Sequence, residues 1–322
     1  MEPVDVAGHA QQVAATAEAM YAAGAPPVRI AHAIAGLTDG LTGKLLLLAE
    51  DELGPPPCPY AWLALGSEGR MEQVLLTDQD NALAYADDSA SARSYFPALA
   101  EHVVAGLLRA GIPACPGGYM ATNWCRSLAD WKGTFQAWIA EPTPQALVEA
   151  EVFLDFRPVG GDLPTGALDQ IMVSGGGRGL FLFHLAQVAR RFQPPLGSFG
   201  RIRATDGAVD LKRGGLGVIV LLARLYALAA RSTARSTPER LAAAAKAGVL
   251  SRWGADALTD SWEFLMRLRL AEQLRRLGEG RAPDNVVVLD DLSPLERRRL
   301  RDVFLTVRKM QDATALRFGP GL

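Results

Sequence analysis

The sequence is poor in the residues that form covalent cross-links or thiolate metal sites. Its 322 residues include three cysteines and four histidines. The cysteines, Cys58, Cys115 and Cys125, have no CxxC spacing, which disfavours a disulfide framework and a thiolate zinc site. The histidines are scattered without a ligand spacing. Any metal site in this protein is therefore expected to use other side chains.

Long apolar segments are also missing. The longest apolar run, at 218–230, is interrupted by Arg224 and is shorter than the roughly 20 residues of a membrane span. The first ten residues lack a basic stretch followed by an apolar one, so we predict no signal peptide. These features predict a cytoplasmic location and no membrane partner.

The whole chain has little net charge, but its two halves differ in sign. The totals are 33 Lys and Arg against 35 Asp and Glu, which argues against a nucleic-acid partner. Residues 1–160 carry 8 basic and 19 acidic side chains, whereas residues 161–322 carry 25 and 16. Two interpretations stay open: composition drift between two domains, or a basic domain that meets an anionic substrate.

Hydrophobic periodicity divides the chain into three parts. Residues 1–54 predict a short helical lead-in, with helices at 8–23 and 28–53. Residues 55–160 predict an α/β domain, because strands at 60–66, 81–87 and 151–159 alternate with helical segments. Residues 161–322 predict a helical domain with a hairpin at Asp206-Gly207. Its helices are predicted at 179–192, 215–231, 237–247, 255–278 and 293–316.

A glycine-containing turn followed by two aspartates carries the clearest chemistry. Gly66-Ser67-Glu68-Gly69-Arg70 follows the first strand, where glycines, a hydroxyl and a cation can bind a phosphate. Asp78 and Asp80 are two residues apart, so on a strand their carboxylates would point to one face. Paired carboxylates beside a phosphate turn suit Mg²⁺ and nucleotidyl transfer.

These residues resemble a known family. GSEGRMEQVLLTDQDN is similar to the core of the DUF294 nucleotidyltransferases, whose catalytic domain resembles those of the PII uridylyltransferases and glutamine-synthetase adenylyltransferases. CPGGYMATNWCRSL at 115–128 and FLDFRPVGGD at 153–162 continue the resemblance, as do segments of the second half. The resemblance covers about 60–322. It implies a polymerase-beta-like α/β core followed by a helical substrate-binding domain.

The resemblance also implies roles for single residues. Asp155 matches a third acidic residue that completes the metal site, although it could equally be a strand residue paired with Arg157. VDLKRGGLG at 209–217 resembles a family element, and there Lys212 and Arg213 precede a Gly-Gly turn and a helix. We expect these two cations to bind phosphate or an acidic partner, with a basic capping loop as the alternative.

The combined expectation is an enzyme. It would bind a nucleoside triphosphate such as ATP at Gly66, Ser67, Gly69 and Arg70. Two Mg²⁺ ions would be held by Asp78, Asp80 and Asp155. Nucleoside monophosphate would pass to a protein acceptor and pyrophosphate would leave, in a signalling role. The alternatives are a non-catalytic nucleotide-binding regulator and a small-molecule nucleotidyltransferase.

Two further patterns favour a structural interpretation. Arg297, Arg298, Arg299 and Arg301 lie on one predicted helix with Glu296 and Asp302, which is typical of a solvated face. Trp124, Trp131 and Trp138 recur every seven residues, so on one helix they would share a face that packs against the second domain.

Overall fold

The computed structural model describes residues 8–75 and 77–319, which fall into two compact units. The first unit consists of Met1–Trp138 and Val148–Ile171, and the second of Ile139–Leu147 and Met172–Leu322. Most of the N-terminal stretch used for the signal-peptide prediction lies outside the described residues. Among the described residues, no helix combines the length and apolar composition that a membrane span requires.

The first unit is a mixed α/β structure, and the two N-terminal helices were predicted correctly. Its helices are α1 (His9–Ala22), α2 (Pro27–Leu53), α3 (Gly66–Gly69), α4 (Ala90–Arg109), α5 (Leu128–Ala140), α6 (Pro144–Phe153) and α7 (Gly166–Ser174). Its strands are β1 (Tyr60–Ala64), β2 (Asn81–Tyr85), β3 (Cys125–Ser127) and β4 (Arg157–Gly161). Short stretches of α5, α6 and α7 fall in the second unit.

The four strands form one sheet in the order β3-β2-β1-β4. β1 runs antiparallel to β2 and β4, whereas β2 and β3 are parallel. All five residues of β1 and all five of β2 are buried, as expected for central strands. One face packs on α2 and α4, through Trp62 and Tyr85 of the sheet, Leu46 of α2 and Phe96 of α4. The lead-in helix α2 is therefore part of the same core as the sheet.

The three tryptophans pack within the first unit, and only two share a helix. Trp131 and Trp138 lie on α5, but Trp124 precedes β3, so the three do not share the face of one helix. All three surround Phe153, at ring-centroid distances of 4.3 Å for Trp124, 5.2 Å for Trp131 and 5.4 Å for Trp138. This cluster fixes the end of α6.

The second unit is mainly helical, as the sequence predicted. Its helices are α8 (Gly179–Arg191), α9 (Gly217–Ala229), α10 (Thr237–Lys246), α11 (Arg252–Gly278) and α12 (Pro294–Arg317). Ser293 and Glu296 form a complete capping box at the start of α12, as their spacing predicted. The predicted start of α11 at 255 is wrong by one turn, because Ser251 caps it.

A small ribbon accompanies these helices. β5 (Ala208–Asp210) pairs antiparallel with β6 (Val286–Val288). Asp206 and Gly207 have φ values of +49° and +75°, so the predicted two-residue turn forms between Thr205 and Ala208. The chain after the turn pairs with β6, a partner about 80 residues away that local pattern could not indicate.

Candidate active site

The 66–70 turn directly follows the buried strand β1. It consists of the single helical turn α3 and Arg70. Within the described residues, the helical segment predicted between β1 and β2 is limited to this turn. Gly66 has a φ of +53°, and a Cβ there would lie 3.0 Å from Oδ2 of Asp80. The Leu65 N–H donates to the Asp80 carbonyl at 2.9 Å. The turn and Asp80 are therefore fixed side by side.

Asp78 and Asp80 lie on either side of the buried Gln79, in the segment that leads into β2. The Gln79 N–H donates to the Pro113 carbonyl at 2.9 Å, and its side-chain amide donates to the Ile112 carbonyl at 3.3 Å. These bonds direct Gln79 into the protein. The two carboxylates meet, with ligand oxygens within 4.8 Å of each other. Both aspartates remain partly exposed, so a solute can reach them.

Cys115 also belongs to this group, although no sequence pattern predicted it. Its Sγ lies within 4.8 Å of the ligand oxygens of both Asp78 and Asp80. Burial, together with a hydrogen bond to Asp80, raises the pKa of Cys115 to about 11. The backbone bridge between Gln79 and Ala114 brings the two segments together. This pairing joins residues 35 positions apart, so no local spacing could predict it.

The donor chemistry of this group fits a hard divalent cation. Two carboxylates offer the oxygen ligands that Mg²⁺ and Mn²⁺ prefer. Cys115 is a neutral thiol at neutral pH, because its raised pKa keeps the proton on sulfur. Asp78 and Asp80 thus supply two oxygen ligands for such a cation, and the Cys115 thiol lies beside them.

Arg70 is enclosed by acidic side chains. Its Nε donates to Glu72 at 2.7 Å, and its Nη1 donates to the fully buried Asp155. Burial alone would lower the pKa of Arg70, but the charges of Asp155 and Glu72 outweigh burial and raise it. The guanidinium predicted to meet a phosphate is therefore also the link between the 66–70 turn and Asp155.

Asp155 reaches the turn by a different route from the predicted one. The strand predicted over 151–159 is wrong in its first half, because α6 extends to Phe153 and β4 begins at Arg157. Asp155 lies between them. A Cβ at Gly69 would lie 1.8 Å from the Asp155 carbonyl oxygen, so only glycine permits this approach. The metal role of Asp155 stays a prediction.

A second polar network fixes the other side of the turn. Arg157 does not pair with Asp155 but with Asp39 of α2, through two hydrogen bonds of 2.8 and 2.9 Å. Its Nη2 also donates to the Glu68 carbonyl at 3.2 Å. Glu68 is buried, and burial together with the charge of Asp39 raises the pKa of Glu68 to about 8. Asp39 lies 118 residues from its partner, so no sequence pattern predicted its role.

Lys212 and Arg213 belong to the second unit, at the start of a π-helical stretch, Lys212–Leu216, that leads into α9. Both side chains are exposed. Their backbone N–H groups donate to Oδ1 of Asp210 at 2.8 and 2.9 Å. The Asp210 carboxylate thus accepts from the two backbone amides and leaves both cationic side chains exposed. Binding of phosphate or of an acidic partner by the Lys212 and Arg213 side chains stays a prediction.

Comparison with known proteins agrees with this geometry. Residues 11–145 match the family model "Putative nucleotidyltransferase DUF294", and residues 179–318 match "Putative nucleotidyltransferase substrate binding domain". A comparison with curated proteins gave no match. The first match contains the 66–70 turn, Asp78, Asp80 and Cys115, and the second contains most of the helical unit. The chain therefore belongs to the DUF294 nucleotidyltransferase family, with its transferase domain followed by the family's substrate-binding domain.

Proposed function

We propose that this protein transfers a nucleoside monophosphate from a nucleoside triphosphate to a protein hydroxyl, with release of pyrophosphate. The observation that carries the proposal is the meeting of Asp78 and Asp80 beside Gly66. A carboxylate pair next to a glycine turn is the arrangement needed to hold a metal-bound triphosphate. Family membership supports the transferase class. The protein acceptor is supported by the resemblance to the uridylyl- and adenylyltransferases.

Asp78 and Asp80 would hold Mg²⁺, and Asp155 is proposed as a third ligand. When bound, the metal would neutralise negative charge that develops on the phosphates. The chain's own contribution is positional. Gly66 and the Ser67 hydroxyl would contact the phosphates, since both residues are partly exposed beside Asp80. Arg70 would keep the turn and Asp155 in register, and Lys212 and Arg213 are proposed to bind phosphate or the acceptor.

The finer fold assignment and the location are also proposals. The polymerase-beta-like class is supported by a mixed four-stranded sheet with the aspartate pair immediately before a central strand. We propose a cytoplasmic location from the sequence features described above.

The test is transfer of label from each α-³²P-labelled nucleoside triphosphate, with Mg²⁺, into cell extract, together with pyrophosphate release. Asp78→Asn with Asp80→Asn should lower both by at least about 100-fold, the usual effect of removing transition-state charge stabilisation. Asp87→Asn with Asp88→Asn is the matched control, because these exposed aspartates follow the other end of β2. Equal rates in the two double variants would contradict the assignment.

The same experiment separates the alternatives. Label in a protein band supports the proposal, whereas label in the small-molecule fraction would indicate a small-molecule nucleotidyltransferase. Nucleotide binding without pyrophosphate release in any extract would indicate a non-catalytic regulator.

A further inference from the structure

The helical unit contains a cavity lined by four arginines. Its volume is about 670 Å³, and Arg201, Arg297, Arg298 and Arg301 line it. The remaining lining residues are apolar: Ile202, Leu289 and Pro294. The lining therefore carries four positive charges and no carboxylate. The arginines on α12 were expected to form a solvated face, but three of them converge with one from another segment.

Two segments of the second unit bring the arginines together. Arg297, Arg298 and Arg301 lie at i, i+1 and i+4, so they occupy adjacent positions at the start of α12. Arg201 lies in a tight turn, in which its carbonyl accepts from the Gly197 N–H at 2.8 Å.

The turn is attached at both ends. Ile202 forms a bridge with Leu196, and the Arg203 N–H donates to the Pro195 carbonyl at 2.8 Å. A Cβ at Gly200 would lie 3.1 Å from Leu305, so the turn packs against α12. The position of Arg201 next to the α12 arginines is therefore a result of the local fold.

The acidic neighbours neutralise this cluster only weakly. Arg297 approaches Asp290 at 3.3 Å, and Arg301 approaches Asp302 at 3.3 Å. Both pairs are exposed, and such pairs contribute about 0–1 kcal/mol. Within the described residues, Arg201 and Arg298 have no ion pair. Four guanidinium groups around one cavity repel each other, and a bound anion would relieve this repulsion.

We propose that this cavity binds a small molecule that carries several phosphate groups. Guanidinium groups bind phosphate and carboxylate oxygens through paired hydrogen bonds. Four of them around one cavity favour a ligand that carries several negative charges over one with a single carboxylate. The volume lies in the range of about 300–1,000 Å³ that is typical of small-molecule sites. Ile202, Leu289 and Pro294 offer an apolar contact for the organic part of the ligand. The proposal is independent of the proposed transferase reaction, because none of its residues belongs to the carboxylate site.

The test is isothermal titration of the full-length chain with sodium tripolyphosphate and, separately, with ATP. Both titrations contain EDTA and use the Asp78→Asn/Asp80→Asn background, so that the carboxylate site contributes no metal-dependent binding. Both probes should bind, and more weakly at 200 mM than at 50 mM NaCl. Failure of tripolyphosphate to bind, with or without binding of ATP, would overturn the proposal.

Two variants and a matched control locate the site. Arg298→Ala with Arg301→Ala should weaken tripolyphosphate binding at least tenfold, and Arg201→Ala, from the other segment, should also weaken it. Arg299→Ala should change it less than twofold, because Arg299 lies over the Phe264 ring at 4.8 Å and does not line the cavity. An equal loss in Arg299→Ala would show unspecific surface attraction. Binding of hexaglutamate as tight as that of tripolyphosphate would instead indicate an acidic peptide site.

Discussion

Gly69 is the position where a single added methyl group should separate the parts of the candidate active site. A Cβ there would lie 1.8 Å from the Asp155 carbonyl oxygen and 2.8 Å from that of Ala64. Both obstacles are backbone atoms, so no side-chain rotation can relieve the contact. Gly69→Ala therefore has to displace either the 66–70 turn or the segment that carries Asp155.

The size of the effect follows from this geometry. To reach even a 3.0 Å contact, the Asp155 carbonyl must move by about 1.2 Å, a shift that a close-packed interior accommodates poorly. Overpacking typically costs about 1–3 kcal/mol, and we expect the upper end, about 3 kcal/mol, because backbone must move. The same displacement would lengthen the Arg70–Asp155 hydrogen bond. We expect nucleotidyl transfer to fall at least about tenfold, since misplacement of about 1 Å is costly in positional catalysis.

The assay is urea denaturation followed by tryptophan fluorescence, together with label transfer. Gly133→Ala is the control, because Gly133 is exposed on α5 and a Cβ there meets nothing within 4 Å. Replacing a helical glycine by alanine should stabilise the protein by about 0.5–1 kcal/mol. The reasoning is refuted if Gly69→Ala and Gly133→Ala shift the unfolding midpoint in the same direction, or if Gly69→Ala retains full transfer activity.

Three further predictions concern the polar groups around the turn. The pKa of Glu68 is raised from 4.5 to about 8, so the folded protein binds this proton more tightly than the unfolded chain. The resulting contribution to the free energy of unfolding is complete below pH 4.5 and is lost as pH rises through 8. This loss of stability between low and high pH amounts to at most about 5 kcal/mol, and Glu68→Gln should abolish it. Urea denaturation of both proteins at pH 5 and pH 9 measures the difference. The pKa of Cys115 is raised from 9.0 to about 11, so we expect iodoacetamide to alkylate this thiol at pH 7 about 100-fold more slowly than a model thiol. Equal alkylation rates by peptide mass spectrometry would contradict this prediction. Asp39→Asn should destabilise the protein by about 1–3 kcal/mol by leaving Arg157 without its carboxylate, whereas Asp256→Asn, at an exposed pair 3.9 Å apart, should cost less than about 0.5 kcal/mol.

Features set by neighbouring residues could be predicted from the sequence. Ser293, Pro294 and Glu296 mark the start of α12 because the capping box lies within four consecutive positions. The Asp206-Gly207 turn is predictable for the same reason, since both residues tolerate positive φ. The DUF294 assignment also came from contiguous residues, and family comparison confirmed it.

The segment around Asp155 shows where local pattern misleads. EVFLDFRPV alternates like a strand, but its first residues end α6, which begins at Pro144 and is supported by a hydrogen bond from the Ala146 N–H to the Thr143 hydroxyl at 3.2 Å. On a strand, Asp155 and Arg157 would share a face and could pair. In the turn after α6 they separate, so Asp155 bonds to Arg70 and Arg157 bonds to Asp39.

Two contacts between distant segments had no signal in the sequence. Cys115 meets Asp78 and Asp80 only because Gln79 bridges to Ala114. Asp39 meets Arg157 only because α2 packs on the sheet. Such partners depend on the tertiary arrangement, for which a single sequence without repeats or spacing motifs carries no signal.

The charge difference between the two halves now has a structural explanation within each unit. In the first unit, Glu72 and Asp155 contact the Arg70 guanidinium group, Asp39 contacts that of Arg157, and the charges of Asp39 and Asp80 act on the buried Glu68. Such an excess of carboxylates is unfavourable unless protons or cations compensate it, and burial beside Asp39 raises the pKa of Glu68, which favours its protonated form. In the second unit, four arginines surround one cavity without a lining carboxylate. Composition drift would spread the excess charge over the whole surface of each unit. Here part of the acidic excess of the first unit, and part of the basic excess of the second, is clustered at a candidate site. The charge counts therefore favour ligands of opposite sign, a cation in the first unit and a phosphorylated anion in the second.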